Sequence, residues 1–332
     1  MTQRGHTRRA VHRLAAIMLV SCGSSTGGSA PASGASPQDG LDGGNSSTAV
    51  STWSLVPSGT TLDLHALWGS GSNDVWAVGG SAGTGIVLHW DGSGWSTLSS
   101  GGADGLFGVW GSGPLDVWAV GFNARIQHWD GKAWQTSQRG AAGSLSGVWG
   151  SSANDVWAIG TSGSIVHWNG VAWSAVPSGS TVNLTGIWGG SANDVWAVGS
   201  GGTVVHWDGA AWSSSSVDSA VGLTAVAGAG PTSVWAVGSR TTSTGYEGAI
   251  FRWDGVTWSP STNGVSLSGV WAGGGNDAWV VGGTAYGSVA HFDGARWSTP
   301  RYPASRLLDG VWGSGTNDVW AVGYGGTILH GP

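Results

Sequence analysis

Short runs rich in Val, Ile and Trp alternate along most of this chain with clusters of Gly, Ser, Asn and Asp. The runs come in groups. A group reads roughly L-x-G-V-W-G, then N-D-V-W-A-V-G, then I-V-H-W-D-G-x-x-W, and it recurs at a period of about 40 residues. β-Branched and aromatic runs bounded by turn residues predict strands joined by tight turns.

All 25 tryptophans fall within this repeat. They form four columns. The first is Trp68, Trp110, Trp149, Trp188, Trp271 and Trp312, with Ala227 in the fifth unit. The second, without gaps, is Trp76, Trp118, Trp157, Trp196, Trp235, Trp279 and Trp320. The third is Trp90, Trp129, Trp168, Trp207 and Trp253, then Phe292 and Gly331. The fourth is Trp53, Trp95, Trp134, Trp173, Trp212, Trp258 and Trp297. Seven units of four strands predict an all-β fold, a seven-bladed β-propeller with four antiparallel strands per blade. A solenoid would use fewer strands per repeat and leave two ends to cap.

The ends of the repeat predict a closed ring. The last unit stops at His330-Gly331-Pro332, where its fourth strand is due. The missing strand stands at the other end: Trp53-Ser54-Leu55-Val56-Pro57-Ser58 matches Trp173-Ser174-Ala175-Val176-Pro177-Ser178. The N-terminal strand should therefore complete the last blade and remove an open sheet edge.

The first residues read differently. Arg4, Arg8, Arg9 and Arg13 precede the apolar stretch Leu14 to Val20 and Leu19-Val20-Ser21-Cys22. This predicts a secretory signal over 1–21. Its end resembles the lipobox of bacterial lipoproteins, which implies lipidation of Cys22, the one cysteine of the chain. Residues 22–50 are mostly Gly, Ser, Ala, Pro, Thr and Asn, a composition that cannot bury a core and reads as a tether. The propeller then covers 51–332. Removing the signal leaves eight basic residues against 18 acidic ones, so the chain's net charge goes from −6 to −10. That argues against nucleic acid and leaves the lipid as the only membrane contact. Gly23 after Cys22 favours the outer membrane of the cell envelope.

Most conspicuous residues have a structural explanation. Tryptophans inside strands should pack between blades, with the fourth column at the outer rim the best candidates for sugar-stacking platforms. Asp74, Asp116, Asp155, Asp194, Asp277 and Asp318, and the later Asx-Gly residues Asp91, Asp130, Asn169, Asp208, Asp254 and Asp293, are expected to build turns by accepting backbone N–H bonds. One Asp per turn cannot make a calcium site. The column His89, His128, His167, His206, His291 and His330, with Arg252 as its exception, lies too far from the axis to converge on one metal ion. No cofactor or metal is expected.

Spacing divides the two faces of the ring. The first and second Trp columns are eight residues apart in every unit, and the third and fourth are five apart wherever both occur. The second-to-third connection varies from 11 to 18 residues. It shares a face with the variable fourth-to-first connection. Residues outside the repeat formula collect there: Arg125, Arg139, Arg240, Tyr246, Glu247, Tyr286, Arg301, Tyr302, Arg306 and Tyr324. The longest insertion, Ser239 to Ala249, holds three of them. Tyr and Arg are favoured at binding hot spots, and loops on a rigid scaffold carry recognition.

The repeat resembles bacterial propellers of the broad WD-repeat, YVTN and bacterial-neuraminidase-repeat grouping over residues 51–332. It departs from the usual WD order, and H-W-D-G-x-x-W only echoes the sialidase Asp box. The expected role is a monomeric, non-catalytic, lipid-anchored envelope protein that binds a protein or glycan. A lectin with repeated weak sugar sites is the alternative. A glycan-cleaving enzyme is disfavoured, because glycoside hydrolysis usually needs paired carboxylates, the chain has one Glu, and the Asp residues of the ring outside the repeat turns are few: Asp63, Asp104, Asp218 and Asp309. Arg125, Arg240, Tyr246 and Glu247 would have to converge to mimic a sialidase site.

Overall fold

The computed structural model describes residues 53–100, 102, 104–137, 143–263, 265–284, 286–303 and 306–332. Cys22, the signal and tether segments, and Arg139 lie outside the described residues. Seven four-stranded antiparallel sheets follow one another, each a meander. In the first blade the inner strand is Leu64–Gly71, the second Asp74–Ser81, the third Thr84–Trp90 and the outer Trp95–Leu98. The seventh sheet is assembled from both ends of the repeat. Ser54 pairs with His330 and Leu55 with Leu329, and the Val56 amide donates to Ile328 O at 2.9 Å. The predicted closure is thus formed.

The second strands explain how the blades adhere. D-V-W-A-V-G is buried on both faces, so alternate side chains serve opposite neighbours. Val75 and Ala77 enter a cluster shared with the seventh blade, while Val78 and Trp76 enter one shared with the second. The buried apolar side chains form seven such clusters, each drawn from two adjacent blades.

A tryptophan pair sits in every seam. Each second-column indole meets the fourth-column indole of the next blade edge-on, with centroids 5.3 to 5.7 Å apart: Trp76–Trp134, Trp118–Trp173, Trp157–Trp212, Trp196–Trp258, Trp235–Trp297, Trp279–Trp53 and Trp320–Trp95. Such edge contacts add about 0.5–1.5 kcal/mol beyond area burial. The last two pairs lock the seventh blade on both sides. No tryptophan is exposed, and Trp53, Trp134 and Trp212 of the outer column are buried. The expectation that this column offers open stacking platforms is corrected: its faces are spent on neighbouring indoles.

The first column works as knobs. The tip of Trp68 lies where a Cβ on Gly111 of the next blade would be, 2.6 Å away, and Trp110 treats Gly150 in the same way. The fifth blade has Ala227 instead of Trp, and there alone the receiving glycine of the next blade has become Ala272. The two departures compensate for each other in space. In the same seam Arg252 replaces the repeat histidine. Its guanidinium lies 5.0 Å from the Trp235 ring centroid and donates to Gly275 O at 2.8 Å.

Candidate functional site

Each repeat histidine belongs to a local array. His89 Nε2 meets Asp74 Oδ1 at 2.6 Å, and Ser70 Oγ donates to Asp74 Oδ2 at 2.6 Å. The imidazole also stacks on the second-column indole, as His128 does on Trp118 with centroids 4.1 Å apart. The arrangement recurs at His167–Asp155, His206–Asp194, His291–Asp277 and His330–Asp318. The six aspartates before the second strands therefore bond chiefly to His, where backbone amides were expected as the donors, and Asp116 accepts the Ser112 backbone amide as well. At Asp116 burial favours the neutral acid, yet the bonds from His128 and Ser112 outweigh it and lower its pKa. Gly190 and Gly273 stand where other blades have Ser, and Asp194 Oδ2 and Asp277 Oδ2 are correspondingly unpartnered. The later Asx residues do build turns: Asp91 Oδ1 accepts from the amides of Ser93 and Gly94, and Asn169 Oδ1 from those of Val171 and Ala172. These features all lie on the face with constant turns.

The opposite face is built from two kinds of connection, chosen by length. The 11-residue spacing gives a 3₁₀ turn in blades two, three, four and seven: Phe122–Ala124, Thr161–Gly163, Ser200–Gly202 and Tyr324–Gly326. The middle and last residues of these turns have positive φ, which favours glycine. The second blade nevertheless has Asn123 (φ 56°) and Ala124 (φ 54°). Longer spacings give hairpins. The insertion of blade five is not a loop but an extension of two strands, pairing Arg240 with Glu247, Thr241 with Tyr246 and Thr242 with Gly245.

The sequence-selected residues separate by what their side chains do. Arg125 is buried, at 5% exposure. It donates to the carbonyls of Ser100 and Asp104, and with the Gln127 amide turned to match, its Nε reaches Gln127 at 2.9 Å. Burial lowers its pKa, against the opposing charge of Asp104. The expectation that it contacts a ligand is corrected: its donors secure the connection into blade two. Tyr302 is half-buried and its hydroxyl donates to Gly287 O. That too is an internal tie, and burial raises its pKa. Tyr324 sits half-buried in the 3₁₀ turn of blade seven, whose Gly325 amide donates to Asp63 Oδ1 at 2.7 Å. Arg240 pairs with Asp218 at 3.1 Å and stands 3.9 Å from Glu247. Those two carboxylates share one guanidinium on an exposed hairpin, so each already has a cation for a partner. Arg125 is not among these partners, and the convergence a sialidase-like site needs is not formed.

Four side chains remain directed outward. Tyr246 is 38% exposed and Tyr286 72%, on the neighbouring blades five and six. Arg301 and Arg306 are exposed on the connection between blades six and seven. Blades three and four present chiefly small Ser, Thr, Gly and Asn side chains on this face. Among the described residues the face is therefore one-sided.

Nearer the axis lies a group the repeat pattern conceals. Each inner strand carries a bulge after its first Leu, at His65, Phe107, Ser146, Thr185, Thr224, Ser268 and Asp309. Bulged side chains tie one blade to the next: Thr185 Oγ1 donates to Leu223 O at 2.8 Å and Thr224 Oγ1 to Leu267 O at 2.9 Å. Across the seam between blades seven and one, His65 Nδ1 meets Asp309 Oδ2 at 2.8 Å. Phe107 packs beside His65 and against Phe122. His65 was open to discovery as the one histidine of 51–332 outside the histidine column.

Known structures share the architecture. The chain is similar to YCF48 from Cyanidioschyzon merolae, with a TM-score of 0.66 and 17% identity over 84% of this chain and 98% of that one. A structure of YCF48 bound to D1 peptide matches with a TM-score of 0.65 and 16% identity, over 86% and 95%. The WD40 propeller domain of Doa1 matches with a TM-score of 0.66 and 13% identity, over 84% and 97%. At such identities the likeness is one of fold: this is a seven-bladed β-propeller of four-stranded antiparallel blades. No family model and no curated protein matches the chain.

Proposed function

We propose that this protein is a non-catalytic recognition module that binds a polypeptide through its variable face. The observation that carries the reading is, among the described residues, the one-sided distribution of outward Tyr and Arg across blades five to seven, opposite a plain arc of blades three and four. The peptide complex of YCF48 supports a polypeptide partner at the level of architecture. A lectin reading relied on open indoles, and every tryptophan of the described residues is buried or half-buried. The module would act as a monomer, held at the cell envelope, by preference the outer membrane, through lipidated Cys22.

The test uses a photo-crosslinking residue in the full chain at Tyr286, or at Val171 on the constant face, with envelope extract. Adducts only from position 286, lost when the extract is treated with protease, support the reading. Equal adducts from both positions, or selective binding on a glycan array, overturn it. The anchor is tested separately: Cys22→Ser should abolish incorporation of an alkyne fatty acid, and persistent labelling would refute lipidation.

A further inference from the structure

The arginines of the ring are unequally employed. Arg125, Arg240, Arg252 and Arg296 all have acceptors within the chain. Arg301 and Arg306 have no ion pair or hydrogen bond among the described residues. That is unexpected in a chain with 18 acidic residues against 12 basic ones. The acids are concentrated on the other face, where their partners are histidines and turn amides.

Arg306 does not simply project into water. Its guanidinium lies across Gly325, in the space a Cβ there would take, so the 3₁₀ turn of blade seven shelves it. It forms one wall of a groove of about 780 Å³. The groove is lined by Leu55 of the closing strand, by the segment after it, Val56 to Thr61, and by Pro303. Leu55 is 59% exposed on that strand, which is the outer strand of its sheet and has no further partner strand among the described residues. The site thus combines a guanidinium with open donors, apolar walls at Leu55, Val56, Pro57 and Pro303, and an adjacent strand edge.

We propose that this groove receives an extended polypeptide segment that places a side-chain or terminal carboxylate on Arg306 and apolar neighbours against Leu55 and Pro303. This rests on the polypeptide reading above and gives it a location and a charge. A planar guanidinium recognises carboxylate bidentately. An isolated inorganic anion would use the arginine and leave the apolar walls idle. Arg301, on the same connection but outside the groove lining, contributes at the rim and acts mainly through salt-sensitive attraction.

A random dodecapeptide display library panned on the full chain tests this. The expected clones carry Asp, Glu or a free C-terminus flanked by apolar residues. Their synthetic peptides should lose about tenfold or more in affinity with Arg306→Ala, and equally when the acidic group is made an amide. Arg306→Lys should recover only part, and Arg296→Ala on the constant face nothing should change. The melting temperature of Arg306→Ala should stay close to the parent value, since among the described residues the guanidinium has no ion pair or hydrogen bond to lose and only its packing on Gly325 goes. Clones lacking a carboxylate, clones indifferent to Arg306→Ala, or no enrichment at all would overturn the proposal. Clones that depend on Tyr246 or Tyr286 but not Arg306 would sink the groove while sparing the variable-face reading. Clones blocked by changes on the constant face would sink both.

Discussion

The carboxylate of Asp91 receives the Ser93 hydroxyl and then the amides of Ser93 and Gly94, and these donors hold its pKa down to about 2. Backbone amides lower Asp130, Asp208, Asp254 and Asp293 in the same way. Each group is more acidic folded than unfolded. Its contribution to stability is therefore complete above the ordinary carboxylate range near pH 4 and is lost as pH falls through the folded value. The melting temperature should be level with respect to these turns above about pH 5 and decline between about pH 4 and 2. Asn169 holds the same turn with a neutral acceptor. Asp91→Asn should accordingly keep the turn and remove its share of the acid loss, as measured by melting curves across pH. A steeper loss in the Asn variant would contradict this account. A second residue-scale prediction concerns Ala124. Its left-handed backbone costs about 1 kcal/mol relative to glycine, so Ala124→Gly should stabilise by about that amount in chemical denaturation.

At the scale of elements, the knob of one inner strand and the glycine of the next form a single unit. Gly111→Ala drives a methyl group into Trp68 and should cost about 1–3 kcal/mol, by overpacking. Its cost should be smaller in a Trp68→Ala background, a coupling that a double-mutant cycle reads directly. The native pair Ala227 and Ala272 is the precedent. A strictly additive cycle would show that the two positions do not touch. The hairpin of blade five makes a different prediction. Alanine at Tyr246 removes a 38%-exposed ring and should change stability by less than about 0.5 kcal/mol. A large loss would make the hairpin structural instead of a recognition element.

Strands and turns were legible because each blade repeats the same local chemistry. D-V-W-A-V-G announces a strand buried on both sides, and D-G-x-x-W announces an Asx turn. What escaped was set by neighbours distant in sequence. His65 and Asp309 meet across 244 residues, and although His65 stands out as a histidine outside the column, nothing local pairs it with Asp309. Arg125 carries the same sequence signal as Arg306, an arginine in a variable loop. Only the path of the chain through Ser100 and Asp104 turns one inward, while Gly325 leaves room to shelve the other. The insertion of blade five was visible as extra length, but its extension of both strands follows from backbone pairing that the spacing does not specify.

At the scale of the whole molecule the ring is a circle of seven similar seams, closed by a strand brought from the opposite end of the repeat. Trp53 is the outer indole of that strand. It is 5% exposed and meets Trp279 of blade six edge-on at 5.3 Å. Gly331 occupies the third-column position beside it, where any side chain would strike the Trp53 ring. Removal of this indole should cost about 3–5 kcal/mol, as large-to-small core changes do. The loss should be felt first in the seventh blade. The most direct measurement is amide hydrogen exchange of Thr327–Gly331 in the full chain, with and without Trp53→Ala. A ring sealed by its first strand predicts strong protection in the parent and a selective drop in this strand and its neighbours in the variant, before blades two to four respond. Protection in Thr327–Gly331 that is already low in the parent, or unchanged by Trp53→Ala, would contradict the closed, tryptophan-sealed ring.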